Sequence, residues 1–178
     1  MANEEKFDCI VVGAGPAGVT CAYMLAKAGL SVVILDRGKV PGSKNVMGGI
    51  LYSTILNKVI PNFWEEAPVE RRIIKKTFSI LSADSELQMG MRFENFNKPP
   101  FNNTFSVLRG KFDPWYAKKA EEAGAMLLNE AVVDKVLLEG SKAVGVKTRL
   151  VDGDLFADVI VVAEGVTSLL SQSLGLRG

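Results

Sequence analysis

The stretch Asp8-Cys9-Ile10-Val11-Val12-Gly13-Ala14-Gly15-Pro16-Ala17-Gly18 predicts a buried strand, a glycine-rich turn and the start of a helix. This succession is typical of a site for the pyrophosphate of a dinucleotide. Gly13 permits the tight turn, Gly15 lets the backbone approach the phosphates, and Gly18 lets the helix pack closely on the strand. The N-terminus of that helix would then face the anion with free N–H groups and a partial positive charge.

The sequence after the turn extends this pattern. Ala22 and Gly29 follow at helical spacing on the side of the helix expected to face the strand, and Gly29 is expected to end the helix. The next apolar run, residues 31–35, leads into Asp36, whose carboxylate can accept hydrogen bonds from the ribose hydroxyls of an adenosine. This extended spacing favours a bound dinucleotide over a glycine turn that holds no ligand.

Length and composition limit the class of protein. A chain of 178 residues that is 48% hydrophobic and 23% charged can bury one core, so one domain, or one and a fraction, is expected. The net charge of +1 and the lack of a basic cluster mixed with aromatic residues argue against a nucleic-acid partner. No apolar run approaches the length of a membrane span, and residues 1–6 lack a signal-peptide pattern, so we expect a cytoplasmic protein.

The chain contains no histidine and two cysteines. Cys9 falls in the first strand and Cys21 in the first helix, so both are expected to be buried apolar residues rather than a C-x-x-C pair. We therefore expect no metal site, no iron–sulfur cluster and no triad that needs histidine. Redox chemistry would have to come from a bound organic cofactor.

The middle of the chain is expected to leave the simple alternation of strand and helix. The pattern predicts a polar, glycine-rich segment over 37–50, a helix over 51–63 stopped by Pro61, a hairpin of strands 77–81 and 87–93, and a loop over 95–104.

A second crossover is expected to follow. It comprises a strand over 105–109, a helix capped by Asp113 whose first residue is Pro114, and a strand over 125–128 after Gly124. A three-stranded β-meander with strands over 132–138 and 143–149 and a turn at Asp152-Gly153 would then precede the run 159–163. That run is apolar on both faces, as in a central parallel strand.

Several segments together resemble the FAD domain of the FixC family. That family is similar to electron transfer flavoprotein:quinone oxidoreductase and, more distantly, to geranylgeranyl reductases and aromatic hydroxylases. The likeness covers nearly the whole chain, and its most discriminating part is residues 41–51. The segments are GAGPAG at 13–18, Asp36-Arg37-Gly38, residues 41–49, Arg109 before a crossover helix, and Ala163-Glu164-Gly165.

The resemblance implies a set of cofactor-binding residues. Gly13, Gly15, Pro16, Ala17 and Gly18 would hold the pyrophosphate, Asp36 the adenosine ribose, and Arg37 would lie beside the adenine. Gly48 and Gly49 would approach the flavin side, Arg109 the phosphates and ribityl chain, and the Val133 backbone the adenine, with Lys44, Asn45, Glu164 and Gly165 as further candidates. Asp36 stands where many relatives have Glu, and Glu164 stands where an Asp-Gly pair is usual.

Each of these candidates also has a structural explanation that needs no cofactor. Arg109 could be a surface arginine, Gly48-Gly49 a flexible turn, Glu164 an acid favoured at a helix N-terminus, and Lys44 and Asn45 solvated loop residues. Trp64 and Trp115 are expected to be core or interface residues rather than flavin-stacking groups.

The resemblance implies an FAD-dependent oxidoreductase that passes electrons from an electron transfer flavoprotein to quinone or a ferredoxin-like partner. FAD is favoured over NAD(P) because the long excursion after the second strand, Gly48-Gly49 and the β-meander are typical of flavoproteins. The alternatives are an FAD-dependent geranylgeranyl (isoprenoid double bond) reductase and a non-catalytic nucleotide-binding fragment.

The expected fold class is α/β, a Rossmann-like FAD-binding domain with a central parallel sheet, a β-meander and an inserted antiparallel hairpin. We expect residues 1–178 to be an N-terminal fragment, with an insertion around 51–104 from a partial substrate-side region. A further strand and a substrate domain would follow in a full-length parent, which could also associate peripherally with the inner membrane face. The fragment alone is then expected to be inactive and to expose apolar surface.

Overall fold

A computed structural model describes residues 6–151 and 153–176. The chain divides into two compact units, one formed by Met47–Arg109 and the other by the segments on either side of it, Met1–Val46 and Gly110–Gly178. We call the two-segment unit the nucleotide unit and Met47–Arg109 the middle unit. The insertion expected over 51–104 lies within the middle unit.

The strands are β1 Lys6–Val12, β2 Val32–Leu35, β3 Gly48–Tyr52, β4 Val69–Arg72, β5 Lys75–Leu81, β6 Glu86–Arg92, β7 Thr104–Leu108, β8 Met126–Leu128, β9 Val133–Glu139, β10 Lys142–Thr148 and β11 Asp154–Val162. The α-helices are α1 Pro16–Lys27, α2 Thr54–Val59, α3 Arg109–Glu122 and α4 Leu169–Ser173. Two short 3₁₀ helices lie at Phe63–Glu65 and Glu94–Asn97.

The nucleotide unit contains a six-stranded sheet in the order β8-β2-β1-β11-β10-β9. The pairs β8–β2, β2–β1 and β1–β11 are parallel, while β10 runs antiparallel to both β11 and β9. Since β1 continues into α1 and then β2, the first crossover that the sequence predicts is present. The expected Rossmann-like α/β class is therefore confirmed.

The neighbouring strands β1 and β2 of this sheet bury apolar residues on both faces. All four residues of β2 are buried, and Ile10 and Val11 in β1 are fully buried. Val11 faces α1 near Gly18, whereas Ile10 and Val33 belong to a cluster on the opposite face that includes Val136 and Val146. Burying one such side chain contributes about 1.5–3 kcal/mol, so β1 and β2 stabilise the end of the sheet from which the glycine-rich turn leaves.

The helix α1 begins at Pro16, as predicted, with Gly15 at its N-cap. It buries Gly18, Val19, Ala22 and Ala26. Gly29 follows the helix at φ +87°, which is the left-handed conformation that favours glycine after a helix end. The expectation that Gly29 faces the strand is wrong, because this residue is exposed.

The helix α3 begins at Arg109 and not at Pro114. Asp113 is therefore buried inside the helix rather than capping it, and Pro114 is an internal helical residue. The preceding strand β7 belongs to a three-stranded sheet of the middle unit, so the expected second crossover within one sheet is absent. The sequence signals for a helix start therefore marked a position five residues too late.

The β-meander and the last parallel strand share one strand. Residues 154–156 of β11 pair with β10, and the strand continues along β1 from Lys6↔Phe156 to Val12↔Val162. The sequence predicted a separate third strand for the meander, and this prediction is wrong. In the turn expected at Asp152-Gly153, Gly153 has φ +76°, while Asp152 lies outside the described residues. Val159 is 54% exposed, so β11 is not buried on both faces.

The middle unit contains two antiparallel sheets, β3-β7-β4 and β5-β6. The helix expected over 51–63 is shorter, because Leu51 and Tyr52 complete β3 and α2 ends at Val59, before Pro61. In the segment expected to be loop, residues 94–97 form a 3₁₀ helix and Thr104 begins β7. The predicted hairpin is confirmed, with β5 and β6 paired from Lys75↔Arg92 to Leu81↔Glu86.

Candidate functional site

The glycine-rich turn is fixed by close packing at two of its three glycines. Gly13 has φ +107°, and a Cβ there would lie 2.5 Å from the carbonyl oxygen of Ala163. A Cβ at Gly18 would lie 2.0 Å from the carbonyl oxygen of Gly13 and 3.1 Å from Cγ1 of Val11. Both clashes involve backbone, so the turn, β1 and the end of β11 can approach this closely only with glycine at 13 and 18.

Gly15 requires a different explanation. Its φ of −76° and ψ of 172° are ordinary for any residue, and a Cβ built on it meets nothing within 4 Å. Neither the backbone conformation nor the protein packing therefore demands glycine at this position. The open space lies at the N-cap of α1, where an anion could approach the backbone closely.

The first turn of α1 is suited to an anion. The amide of Val19 donates to the Gly15 carbonyl at 2.9 Å, and the amides of Ala17 and Gly18 precede this bond. Amides at these first positions have no intrahelical acceptor. The first turn carries no acidic residue and Gly15 provides no side-chain cap, so no side chain of the helix itself occupies these amides or neutralises the positive end of the helix dipole.

Asp36 lies immediately after β2 and beside the turn. Its Oδ2 accepts from the Ala14 amide at 2.9 Å, and its Oδ1 accepts from the Gly38 amide at 2.7 Å. The half-buried carboxylate therefore joins the end of β2 to the glycine-rich turn. Each carboxylate oxygen can accept a further hydrogen bond, so the structural bonds leave room for a ribose hydroxyl.

The chain after β8 borders Asp36. The backbone of Asp36 accepts from the Ala131 amide at 2.9 Å, and the Gly38 carbonyl accepts from the Glu130 amide at 2.9 Å. Val133 begins β9 two residues later and packs on the apolar cluster of the sheet. Arg37 is exposed between Asp36 and Gly38. This arrangement brings the residues predicted for the adenosine half into one region.

The segment before the middle unit contains Lys44 and Asn45, and both side chains are exposed. The Asn45 amide nitrogen Nδ2 donates to Oδ2 of Asp113 at 3.3 Å. Asp113 is 2% exposed on α3. Asn45 is therefore held by a buried carboxylate that the sequence suggested only as a helix cap.

Gly48, Gly49 and Arg109 belong to the middle unit. Gly48 and Gly49 form the start of β3, paired with Leu108 and Val107, so the alternative of a flexible turn is wrong. A Cβ at Gly48 would lie 3.1 Å from Cδ2 of Leu108, which is the end of an exposed, flexible side chain. Arg109 is half-buried, and its amide donates to the Met47 carbonyl at 3.1 Å.

Glu164 follows β11 and accepts hydrogen bonds from the start of α4. Its Oε2 accepts from the amides of Leu170 at 2.9 Å and Ser171 at 3.4 Å, at the N-terminus of α4. This agrees with the alternative of an acid favoured at a helix start. Gly165 follows with φ +77°, and its carbonyl accepts from the Ser168 hydroxyl.

The remaining polar and aromatic candidates take structural positions. Trp64 stacks on Phe105, and Trp115 packs against Phe112 and Tyr116. The two cysteines are free, and burial raises the pKa of Cys9 to about 11, with smaller contributions from Cys21 and Asp8. No cluster of three or more potential metal ligands occurs in the described ranges.

The sequence predicted no role at the turn for Ala163 or Thr20, and the structure places both against it. Ala163 limits the space at both Gly13 and Gly18. Thr20 lies four residues after Pro16 in α1, and its hydroxyl donates to the Pro16 carbonyl at 2.6 Å. A small residue directly after an apolar strand could have indicated Ala163. No sequence pattern indicates that Thr20 also contacts Tyr116 of α3, since 96 residues separate them.

The chain matches a family model described as FAD dependent oxidoreductase over residues 8–170. It is 46% identical to Protein FixC of Bradyrhizobium diazoefficiens and 40% identical to the probable electron transfer flavoprotein-quinone oxidoreductase YdiS of Escherichia coli. Each match covers 98% of this chain and 40% of the relative. The chain thus spans about two fifths of the length of these curated relatives.

Among solved structures, the fold is similar to a geranylgeranyl bacteriochlorophyll reductase-like protein from Thermoplasma acidophilum. The TM-score is 0.79 at 28% sequence identity, with 98% of this chain and 43% of that chain covered. None of the helices in residues 6–151 and 153–176 combines the length and hydropathy needed to cross a membrane.

Proposed function

The chain belongs to the family of FAD-dependent oxidoreductases, whose cofactor is FAD, and on that basis we propose that it forms the nucleotide-binding part of an electron-transferring flavoprotein. In this proposal the whole protein takes electrons from an electron transfer flavoprotein and passes them to quinone or a ferredoxin-like acceptor. The name of the YdiS relative, a probable electron transfer flavoprotein-quinone oxidoreductase, supports the flavoprotein and quinone as the two partners.

The observation that carries the proposal is the open space at Gly15. Glycine is required neither by its φ of −76° nor by any protein atom near a Cβ. A ligand that closely approaches the backbone explains why this position lacks a side chain. The FAD pyrophosphate fits this position because it is anionic and the helix N-terminus offers amides without intrahelical acceptors.

Each end of the cofactor would have its own residues. Gly13, Gly15, Pro16, Ala17 and Gly18 would hold the pyrophosphate, and Asp36 the ribose, with Arg37 and the Val133 backbone bordering the adenine. Lys44, Asn45, Gly48, Gly49 and Arg109 would serve the flavin and ribityl end, and Glu164 and Gly165 would border the pyrophosphate. When bound, FAD supplies the redox chemistry by exchanging electrons singly or in pairs.

The second candidate function is the reduction of isoprenoid double bonds. The likeness to the geranylgeranyl bacteriochlorophyll reductase-like protein favours it, since the identity of 28% exceeds that of the halogenase neighbours. This function would require an apolar channel for a long substrate. Both candidates share the FAD site and differ in what exchanges electrons with the flavin.

A chimera tests the proposal. We suggest joining this chain to the C-terminal three fifths of Bradyrhizobium FixC, the part beyond its match. Under anaerobic conditions, a catalytic amount of electron transfer flavoprotein, kept reduced by its own electron donor that does not reduce the chimera directly, should bleach the flavin absorbance of the chimera, and an excess of quinone over that donor should restore it. The same chimera with Gly15→Val is the control for a correctly bound cofactor.

Three results would contradict this assignment. Bleaching by NAD(P)H but not by electron transfer flavoprotein would exclude the proposed donor. Oxidation of the reduced flavin by a geranylgeranyl substrate, with no reaction towards quinone, would favour the isoprenoid reductase. If a folded chimera bound no flavin at all, the third possibility, a non-catalytic fragment, would be favoured.

A further inference from the structure

A chain of hydrogen bonds connects the interior of α3 to the first turn of α1. The Thr20 hydroxyl donates to the Pro16 carbonyl at 2.6 Å, and the Tyr116 hydroxyl lies 2.7 Å from the same Thr20 oxygen. A carbonyl cannot donate, so the single hydroxyl proton of Thr20 is used at Pro16. Tyr116 is therefore the donor to Thr20. The two hydrogen bonds connect Tyr116 in α3 to Pro16, the residue that begins α1.

The tyrosine end of this chain is rigidly held. Tyr116 is 2% exposed and its ring packs against Phe112 and Trp115 at centroid distances of 5.7 and 6.0 Å. Burial raises the pKa of Tyr116, so the phenol keeps the proton that it donates at neutral pH. A buried donor with one acceptor fixes the position of that acceptor better than a solvated one.

The receiving end is the turn that carries the anion-binding amides. Pro16 follows Gly15 and precedes Ala17 and Gly18, whose amides come before the first helical bond of α1. We infer that Tyr116 is a positioning residue for the cofactor pyrophosphate, acting through Thr20 on the first turn of α1. This inference rests on the proposed FAD site and adds a residue that does not contact the cofactor.

The substitutions that test it remove single hydroxyl groups. Tyr116→Phe keeps the ring and its packing but removes the donor hydroxyl. Thr20→Val removes the hydroxyl that links the two hydrogen bonds, whereas Thr20→Ser keeps a hydroxyl there. Tyr23→Phe is the matched control, because the Tyr23 hydroxyl lies on the same helix and accepts from Lys27 at 3.5 Å at the surface. Thermal unfolding of every variant shows whether the fold is retained.

Titration of the chain with FAD is the first measurement. Tyr116→Phe and Thr20→Val should each raise the Kd for FAD about three- to tenfold, as expected for one hydrogen bond. The double variant should be no weaker than Thr20→Val, since both changes interrupt the same chain. Thr20→Ser and Tyr23→Phe should bind as the wild type does. Unchanged affinity in Tyr116→Phe, or additive losses in the double variant, would overturn the inference.

Amide hydrogen exchange of the cofactor-free chain is the second measurement. In Tyr116→Phe, exchange at Val19, whose amide makes the first helical bond of α1, should accelerate about three- to tenfold, while the amides of β2 remain unchanged. Equal exchange in variant and wild type would overturn the inference. If neither this chain nor the chimera bound FAD, the proposed function would fail, and this exchange result alone would decide whether Tyr116 positions the turn.

Discussion

The nucleotide unit and the β5–β6 hairpin use similar apolar residues with opposite results. In β2 all four residues are buried, and Val33 and Ile34 have no exposed surface. In the hairpin the pairs Phe78↔Met89 and Ile80↔Leu87 lie on one face, and these side chains are 55–63% exposed. The comparison shows that a strand pattern predicts the element, whereas burial depends on what packs against it.

The two regions also differ in what constrains them. The glycine-rich turn lies where β1, α1 and the end of β11 are packed backbone to backbone, so its geometry is set by the fold itself. The apolar hairpin face has no such constraint among the described residues, and exposed patches of this kind often mark interaction surfaces. Changes in the two regions should therefore differ in size and in kind.

The largest effect is expected for Gly18→Ala. Its Cβ would lie 2.0 Å from the Gly13 carbonyl oxygen, so backbone must shift and unfolding free energy should fall by at least about 3 kcal/mol. Gly15→Ala is the matched control, since its Cβ meets nothing and only an N-cap preference of about 1 kcal/mol is lost. Urea unfolding of both variants measures the difference, and equal losses would show that the turn is not packed as described.

Alkaline pH should destabilise the nucleotide unit through Cys9. The folded-state pKa of about 11 exceeds the usual 9.0, so the unfolded chain loses the proton first and stability falls as the pH rises from 9 to 11. The loss should reach about 2–3 kcal/mol, and Cys9→Val should remove most of it. Urea unfolding across this pH range tests the effect, and identical slopes in both proteins would contradict it.

Asp36→Ala should reduce both stability and FAD binding. Each hydrogen bond to a charged group contributes about 1.5–3 kcal/mol, and Asp36 accepts two backbone bonds at the turn. We expect a loss of roughly 2 kcal/mol in unfolding free energy and a ten- to hundredfold weaker Kd for FAD. Asp36→Asn keeps one acceptor and should lose less. Unchanged FAD affinity in Asp36→Ala would make this residue purely structural.

The smallest change in stability is expected in the hairpin. The double variant Phe78→Thr, Met89→Thr keeps the strand preference and removes exposed apolar surface. The unfolding free energy should therefore change by less than about 0.5 kcal/mol, while the solubility of the protein should rise. Val33→Thr, at a fully buried position, should instead cost about 1–3 kcal/mol. A large destabilisation by the hairpin double variant would mean that its apolar face is covered in solution.

The sequence predicted the first crossover, the tight turn at Gly13, the close packing at Gly18, the place of Asp36 at the end of β2 and the hairpin, because each depends on local geometry or short-range pattern. It placed the start of α3 wrongly, since Asp113 and Pro114 look like a cap and first residue but lie inside the helix. It also divided β11, because one strand changes partners from β10 to β1 without a break. Contacts such as Tyr116 with Thr20 depend on tertiary packing and leave no local pattern.

One substitution tests most directly whether the empty space at Gly15 serves the cofactor. Aspartate at this N-cap should accept from the free amides of α1 and favour the helix dipole, raising the unfolding free energy by about 0.5–1 kcal/mol. The same carboxylate should occupy the pyrophosphate position and repel it, lowering FAD affinity at least about a hundredfold. Gly15→Asn separates the steric contribution from the charge.

Thermal unfolding and FAD titration of Gly15→Asp, measured on the same preparation, should therefore show a higher Tm and a lower affinity for FAD. A protein that unfolds a few degrees higher and no longer binds FAD is the result that we predict. A variant that retains wild-type affinity for FAD would show that the cofactor does not lie against Gly15, and the proposed site would be wrong.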